Sequence, residues 1–245
     1  IWGWPLAAMG LGLIIVGGLG LAVTQEKPEI HLVPIALGAS IGITATTAAI
    51  FGDALAPYAI MLATTALLAN GIPWLALSST RIRVISPQSD ADMFAAPEPI
   101  DADEVKRRAA AGTRTLIALR AALGLAALTA TPLVAASGVW GALLCVLAFV
   151  GMMFQSRQIY ARLGVLVLMA IGAIGLAVTG VTVALALPDV RTWMLLILVV
   201  ATVMLVGLTL LTPKARLRLT RLGDTVEVFA LALLLPLGVT TAGLV

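Results

Sequence analysis

AALGLAALTATPLVAASGVWGALLCVLAFVGMMFQS, residues 121–156, contains no charged side chain. As one straight helix it would measure about 54 Å, nearly twice the thickness of a bilayer's hydrocarbon core. The stretch must therefore fold back on itself. Ala136-Ser137-Gly138 supplies the break, and Trp140 just beyond it suits a membrane interface. One run thus yields two antiparallel spans.

The same reading extends in both directions. Uncharged stretches, with His31 taken as neutral, run over 1–25, 30–52, 54–80, 163–188, 192–213 and 228–245. Each is near the roughly 20 residues that a helix needs to cross a bilayer. The expected spans are A to H, at 2–24, 32–52, 55–79, 115–136, 138–155, 163–187, 192–212 and 226–244. The runs are continuously apolar rather than alternating, so a barrel is excluded and the fold class is all-α, a polytopic transmembrane bundle. Composition agrees. Of 245 residues 61% are hydrophobic and 11% charged, with a mean hydropathy of +1.10. Soluble domains carry about 25% charged residues.

Basic residues set the orientation. Lys27 lies between A and B. Arg81, Arg83, Lys106, Arg107, Arg108 and Arg114 lie between C and D. Arg157 and Arg162 follow E, and Lys214, Arg216, Arg218 and Arg221 follow G. Alternating spans put all of these on one side, which then holds 13 of the 15 basic residues. The positive-inside rule makes that side cytoplasmic and both ends of the sequence extracytoplasmic. Only Arg191 falls outside, and Arg120 sits close enough to the inner end of D to snorkel.

The organisation is spans A–C over 1–79, a cytoplasmic loop over 80–114, and spans D–H over 115–245. The loop carries six basic and six acidic residues. Its first half reads as irregular. After Pro97 and Pro99, Asp101 and Glu104 stand at capping-box spacing, which predicts a helix from about Ala102 toward span D. A solvated linker would account for the loop, and so would a docking surface built from Arg81, Arg83, Asp101, Glu104, Lys106, Arg107 and Arg108.

Chemistry-bearing groups are sparse. Gly38 and Gly42 in span B, and Gly172 and Gly175 in span F, suit close helix packing or an oligomer contact, with Thr44 and Thr46 able to bond across it. Arg120, Asp224 and Glu227 are candidates for interhelical ion pairs rather than a proton relay. Asp53 lies in a short turn. Cys145 reads as a small buried hydrophobe, and one His and one Cys far apart make no metal or catalytic constellation. No phosphate loop, dinucleotide fingerprint, HExxH or serine elbow occurs, so no cofactor is expected and the chain is expected not to be an enzyme. The modest charge of +3 gives no case for nucleic-acid binding. A small-molecule permease is the alternative class, but it would need repeats and a midplane polar site.

Three segments carry a family resemblance. Leu217-Arg218-Leu219-Thr220-Arg221-Leu222-Gly223-Asp224-Thr225-Val226-Glu227 leads into Leu233-Leu234-Leu235-Pro236-Leu237-Gly238. Arg157-Gln158-Ile159-Tyr160-Ala161-Arg162 enters span F, and the long loop follows span C. In order and topology these resemble the membrane part of EccD, a subunit of the mycobacterial type VII (ESX) secretion machinery. The resemblance implies a membrane scaffold or channel component in the bacterial inner membrane. It implies a homodimer enclosing lipids, assembled with EccB, EccC and EccE, EccC being the ATPase. The loop 80–114 would then contact EccC or EccE. It also implies a longer protein, with a ubiquitin-like domain and three spans ahead of these eight.

Overall fold

The computed structural model describes residues 3–24, 28–79, 102–155, 162–210 and 213–244. Among them are eight helices and no strand: α1 (Gly3–Val23), α2 (Glu29–Phe51), α3 (Leu55–Ser79), α4 (Ala102–Ala136), α5 (Val139–Gln155), α6 (Arg162–Ala186), α7 (Arg191–Leu210) and α8 (Pro213–Thr241). By length and composition α1, α2, α4 and α6 can each cross a bilayer.

The break in 121–156 falls where the sequence places it. α4 ends at Ala136 and α5 starts at Val139. Gly138 has φ +140°, a conformation that a side chain would strain. Ser137 donates both its N–H (3.2 Å) and its hydroxyl (2.7 Å) to the Val134 carbonyl, satisfying a helix-end acceptor. The α2–α3 turn uses the same means. Gly52, at φ +70°, donates its N–H to the Ala48 carbonyl, and Asp53 accepts the Leu55 N–H at 2.9 Å. Asp53 is thus a local cap.

Two helices differ from the expected spans. α4 runs unbroken from Ala102 to Ala136, joining the helix expected from about Ala102 to span D, so the 114/115 boundary between loop and span falls inside it. No proline interrupts residues 102–131, and Ala109-Ala110-Ala111 favours the helix there. α8 starts 13 residues before the expected start of span H, with Pro213 in its first turn, where its missing N–H costs nothing. Pro34, Pro132 and Pro236 lie inside continuous helices.

Neighbouring helices alternate in direction. At one end of the bundle, the start of α1, the end of α2, the start of α3 and the last turns of α4 line a single cavity of about 530 Å³. The end of α8 reaches the same level, where Gly238 faces Ala59 and Ala63 of α3. At the other end Glu29 at the start of α2 meets Arg114 of α4. α5 is the hub, packed by α3, α4, α6, α7 and α8. Leu144, Ala148, Phe149 and Met152 on it are fully buried. Ala59, Ala63 and Ala66 of α3, with Ala127 and Ala130 of α4, let these helices approach closely, which is how helices associate where lipid is as apolar as the core. α1 packs against α2, and only 11% of its apolar stretch is buried.

Candidate docking helix and buried polar groups

The first three turns of α4 project beyond its apolar part and carry Asp103, Glu104, Lys106, Arg107 and Arg108. Asp103 and Glu104 sit in the first turn, where carboxylates complement the helix dipole. Glu104 accepts from Arg107 at 2.8 Å and from Arg108 at 2.6 Å, and Lys106 stands 3.7 Å from Asp103. The Arg107 and Arg108 side chains hold the Glu104 carboxyl below the usual carboxylate range. These exposed i,i+3 and i,i+4 pairs each add little stability. They do hold both signs of charge in fixed places on an open helix face. Arg81, Arg83 and Asp101 lie outside the described residues.

One turn further along, Arg114 pairs with Glu29 of α2, a contact between residues 85 apart in sequence. Glu29 is 4% exposed, so this pair is half sunk into the bundle and ties α4 to the start of α2. Sequence reading passed over it. The available signal was a lone acid opening an apolar span.

Arg120 does not reach solvent as snorkelling would require: it is 1% exposed. Its Nε donates to the Ala69 carbonyl of α3 at 3.2 Å. Pro73 has no N–H, so the Ala69 carbonyl lacks its normal i+4 helical donor, and the guanidinium takes that place. Gln155, at the end of α5, is fully buried, and its amide N and O have no hydrogen-bond partner in the structure. The side chains of Asp224 and Glu227 lie outside the described residues.

The glycines mark contacts within the chain. A Cβ on Gly10 of α1 would stand 2.6 Å from the Cα and N of Gly42, and one on Gly38 would strike Gly10 and Leu13, so α1 and α2 touch backbone to backbone. Gly172 and Gly175 of α6 leave room for Met153 and Phe149 of α5. The hydroxyls of span B do not bond across this contact. Ser40, Thr44 and Thr47 donate to the carbonyls four residues back in their own helix, at 2.8–2.9 Å, the nearest acceptors in dry surroundings. Cys145 is buried, with Sγ 4.0 Å from the Thr131 carbonyl. No group of three His, Cys, Asp or Glu side chains able to hold a metal occurs among the described residues.

The family described as EccD-like transmembrane domain matches residues 2–244. The chain belongs to the EccD family. With the apolar helices above, this makes it a multi-pass membrane protein. No curated protein matches it. Among solved structures, protomer 1 of the ESX-3 core complex is similar in fold, with a TM-score of 0.69 at 15% sequence identity. That likeness covers 96% of this chain and 56% of the solved one, so this EccD-family chain spans little over half the length of its structural neighbour.

Proposed function

We propose that the chain is the membrane-embedded core of a type VII secretion subunit, a non-enzymatic scaffold onto which other subunits dock. The observation that carries this is the family match over nearly the whole chain, with a fold like that of an ESX-3 core complex protomer as its companion. All eight helices span the bacterial inner membrane, the segments 80–114, 156–162 and 211–225, helical turns included, face the cytoplasm, and both ends of the sequence are extracytoplasmic. Two copies form a dimer around lipid. EccB, EccC and EccE are the partners, and the ATPase subunit docks through 80–114. The exposed charges at the start of α4 support that role, because complementary charge fixes register and suppresses wrong partners.

The test is charge reversal at Lys106, Arg107 and Arg108 in the intact complex. Assembly weakens, read as lost complex on a native gel, while membrane insertion of the chain persists. Unchanged complex yield sinks the docking role. Sidedness has its own check: a cysteine at Lys106 reacts with an impermeant maleimide only from the cytoplasmic face, and one at Asp53 only from the opposite face.

A further inference from the structure

We propose that the cavity between α1, α2, α3 and α4 is a binding site for one acyl chain of a membrane glycerolipid, whose ester carbonyl accepts a hydrogen bond from Tyr58. The site lies within a single chain, so it stands whether or not two copies enclose lipid between them. Its shape comes from how α1 is held. α1 packs chiefly on α2, which leaves a space of about 530 Å³ beside α3 and α4. Small-ligand pockets measure about 300–1,000 Å³. The back wall is buried and is formed by Ile41 and Ala48 of α2 and Tyr58 of α3. The rim is exposed and is formed by Trp4 and Met9 of α1 and Leu133 of α4. A buried wall behind an exposed apolar rim makes a pocket that opens sideways. In a multi-pass membrane protein the medium at such a rim is lipid.

The chemistry of the lining selects the occupant. Among the described residues no charged side chain lines the cavity, so neither a phosphate nor a cation is held there. Ordered water needs two to four polar partners, which this wall does not offer. An empty space would forfeit the contacts of its lining on one side, and a hydrocarbon chain restores them. Thr129 spends its hydroxyl proton on the Ala126 carbonyl at 2.7 Å, and the Trp4 indole stands at the exposed rim. Tyr58 differs from both. It is buried, and its hydroxyl has no hydrogen-bond partner. It sits in the first turn of α3, just inside the α2–α3 turn, at the interfacial depth that tyrosine favours and that lipid ester groups occupy. A buried donor left unmade is costly, and an ester carbonyl satisfies it without bringing a charge into the pocket.

The purified protein in mixed micelles is irradiated with a phosphatidylcholine that carries a diazirine a few carbons below one ester, and the adducts are mapped by mass spectrometry. Adducts concentrate on residues 3–9, 41–48 and 129–133. Ala48→Leu pushes a side chain into the space and cuts them about tenfold. If that variant fails to fold, Leu133→Trp at the exposed rim closes the same opening with the same effect. Unlabelled phosphatidylcholine competes about three- to tenfold better than its diether analogue, the range that one hydrogen bond gives, and Tyr58→Phe removes this preference. Phosphatidylglycerol competes as phosphatidylcholine does, because no charge faces the ligand. Adducts spread evenly over exposed apolar positions such as Ile43 and Leu185 mean annular lipid only and overturn the site. An ester preference that survives Tyr58→Phe overturns it as well, as does a preference for one headgroup charge.

Discussion

Gly124→Ala tests the packing that holds α4 against α6. A Cβ at Gly124 would stand 2.7 Å from Ile171 Cγ2 and 2.9 Å from Cδ1. Carbon atoms settle at about 3.5–4.0 Å, so Ile171 must withdraw by roughly 1 Å. It has little room, being 6% exposed and part of the main core cluster. Overpacking of this kind costs about 1–3 kcal/mol. Alanine also gains about 1 kcal/mol of helix propensity over glycine, leaving a net loss of about 0–2 kcal/mol. Gly151→Ala is the matched control. It gains the same propensity within the same core, yet its Cβ would meet Leu231 at an ordinary 4.0 Å. The difference between the two variants isolates the steric cost. Cys145 labelling during thermal or denaturant challenge reads it, with Gly124→Ala faster than Gly151→Ala by about fivefold or more. Ile171→Ala added to Gly124→Ala removes both clashing atoms and recovers part of the loss, although alone it opens a cavity. If Gly124→Ala and Gly151→Ala label at equal rates, the close approach of α4 and α6 is wrong.

Gly10→Ala meets backbone rather than a side chain, so α1 must move off α2. Disulfide formation between cysteines placed at Gly3 and Ala49 drops several-fold, whereas Gly12→Ala, with nothing within 4 Å, leaves it unchanged. Arg114→Ala removes an ion-pair partner of a buried Glu29 and costs about 1–3 kcal/mol, the half-exposed arginine keeping the value below that of a fully buried pair. Hydrogen exchange in the first turns of α2 rises accordingly, and Arg114→Lys recovers part of the protection. Glu104 has its pKa lowered by Arg107 and Arg108. Its contribution to the first turns of α4 is therefore full above the unfolded carboxylate pKa of about 4.3 and is lost as pH falls through the lower folded value. A spin label at Ala110 gains a little mobility as pH falls through the carboxylate range, and Glu104→Gln shows the same small gain at pH 7.

Much of the fold was legible because its determinants are local. A 36-residue uncharged run cannot be one span, and Ser137-Gly138 is the obvious place to turn it. Lengths and breaks of the apolar segments needed no tertiary information. The start of α8 was less legible, because charge marks where a chain leaves lipid and not where a helix stops. Residues 213–225 are polar and helical together. Helix rotation was illegible for a different reason. α1 and α5 are both apolar on every side, yet α1 is peripheral and α5 is the hub, and no stripe in either sequence says so. The buried polar groups depend on partners far away in sequence. Glu29 and Arg114 are 85 residues apart, and the depth of Arg120 follows from how α3 lies beside it.

α4 is an uninterrupted helix of 35 residues, about 52 Å long. One continuous helix therefore joins the charged turns at 103–108 to the Ser137-Gly138 corner, with the Glu29–Arg114 pair about a third of the way along it. A helix does not absorb a displacement the way a loop does. The two ends of α4 are thus mechanically one piece, and a shift at its charged start cannot be taken up before it reaches α2 and the core.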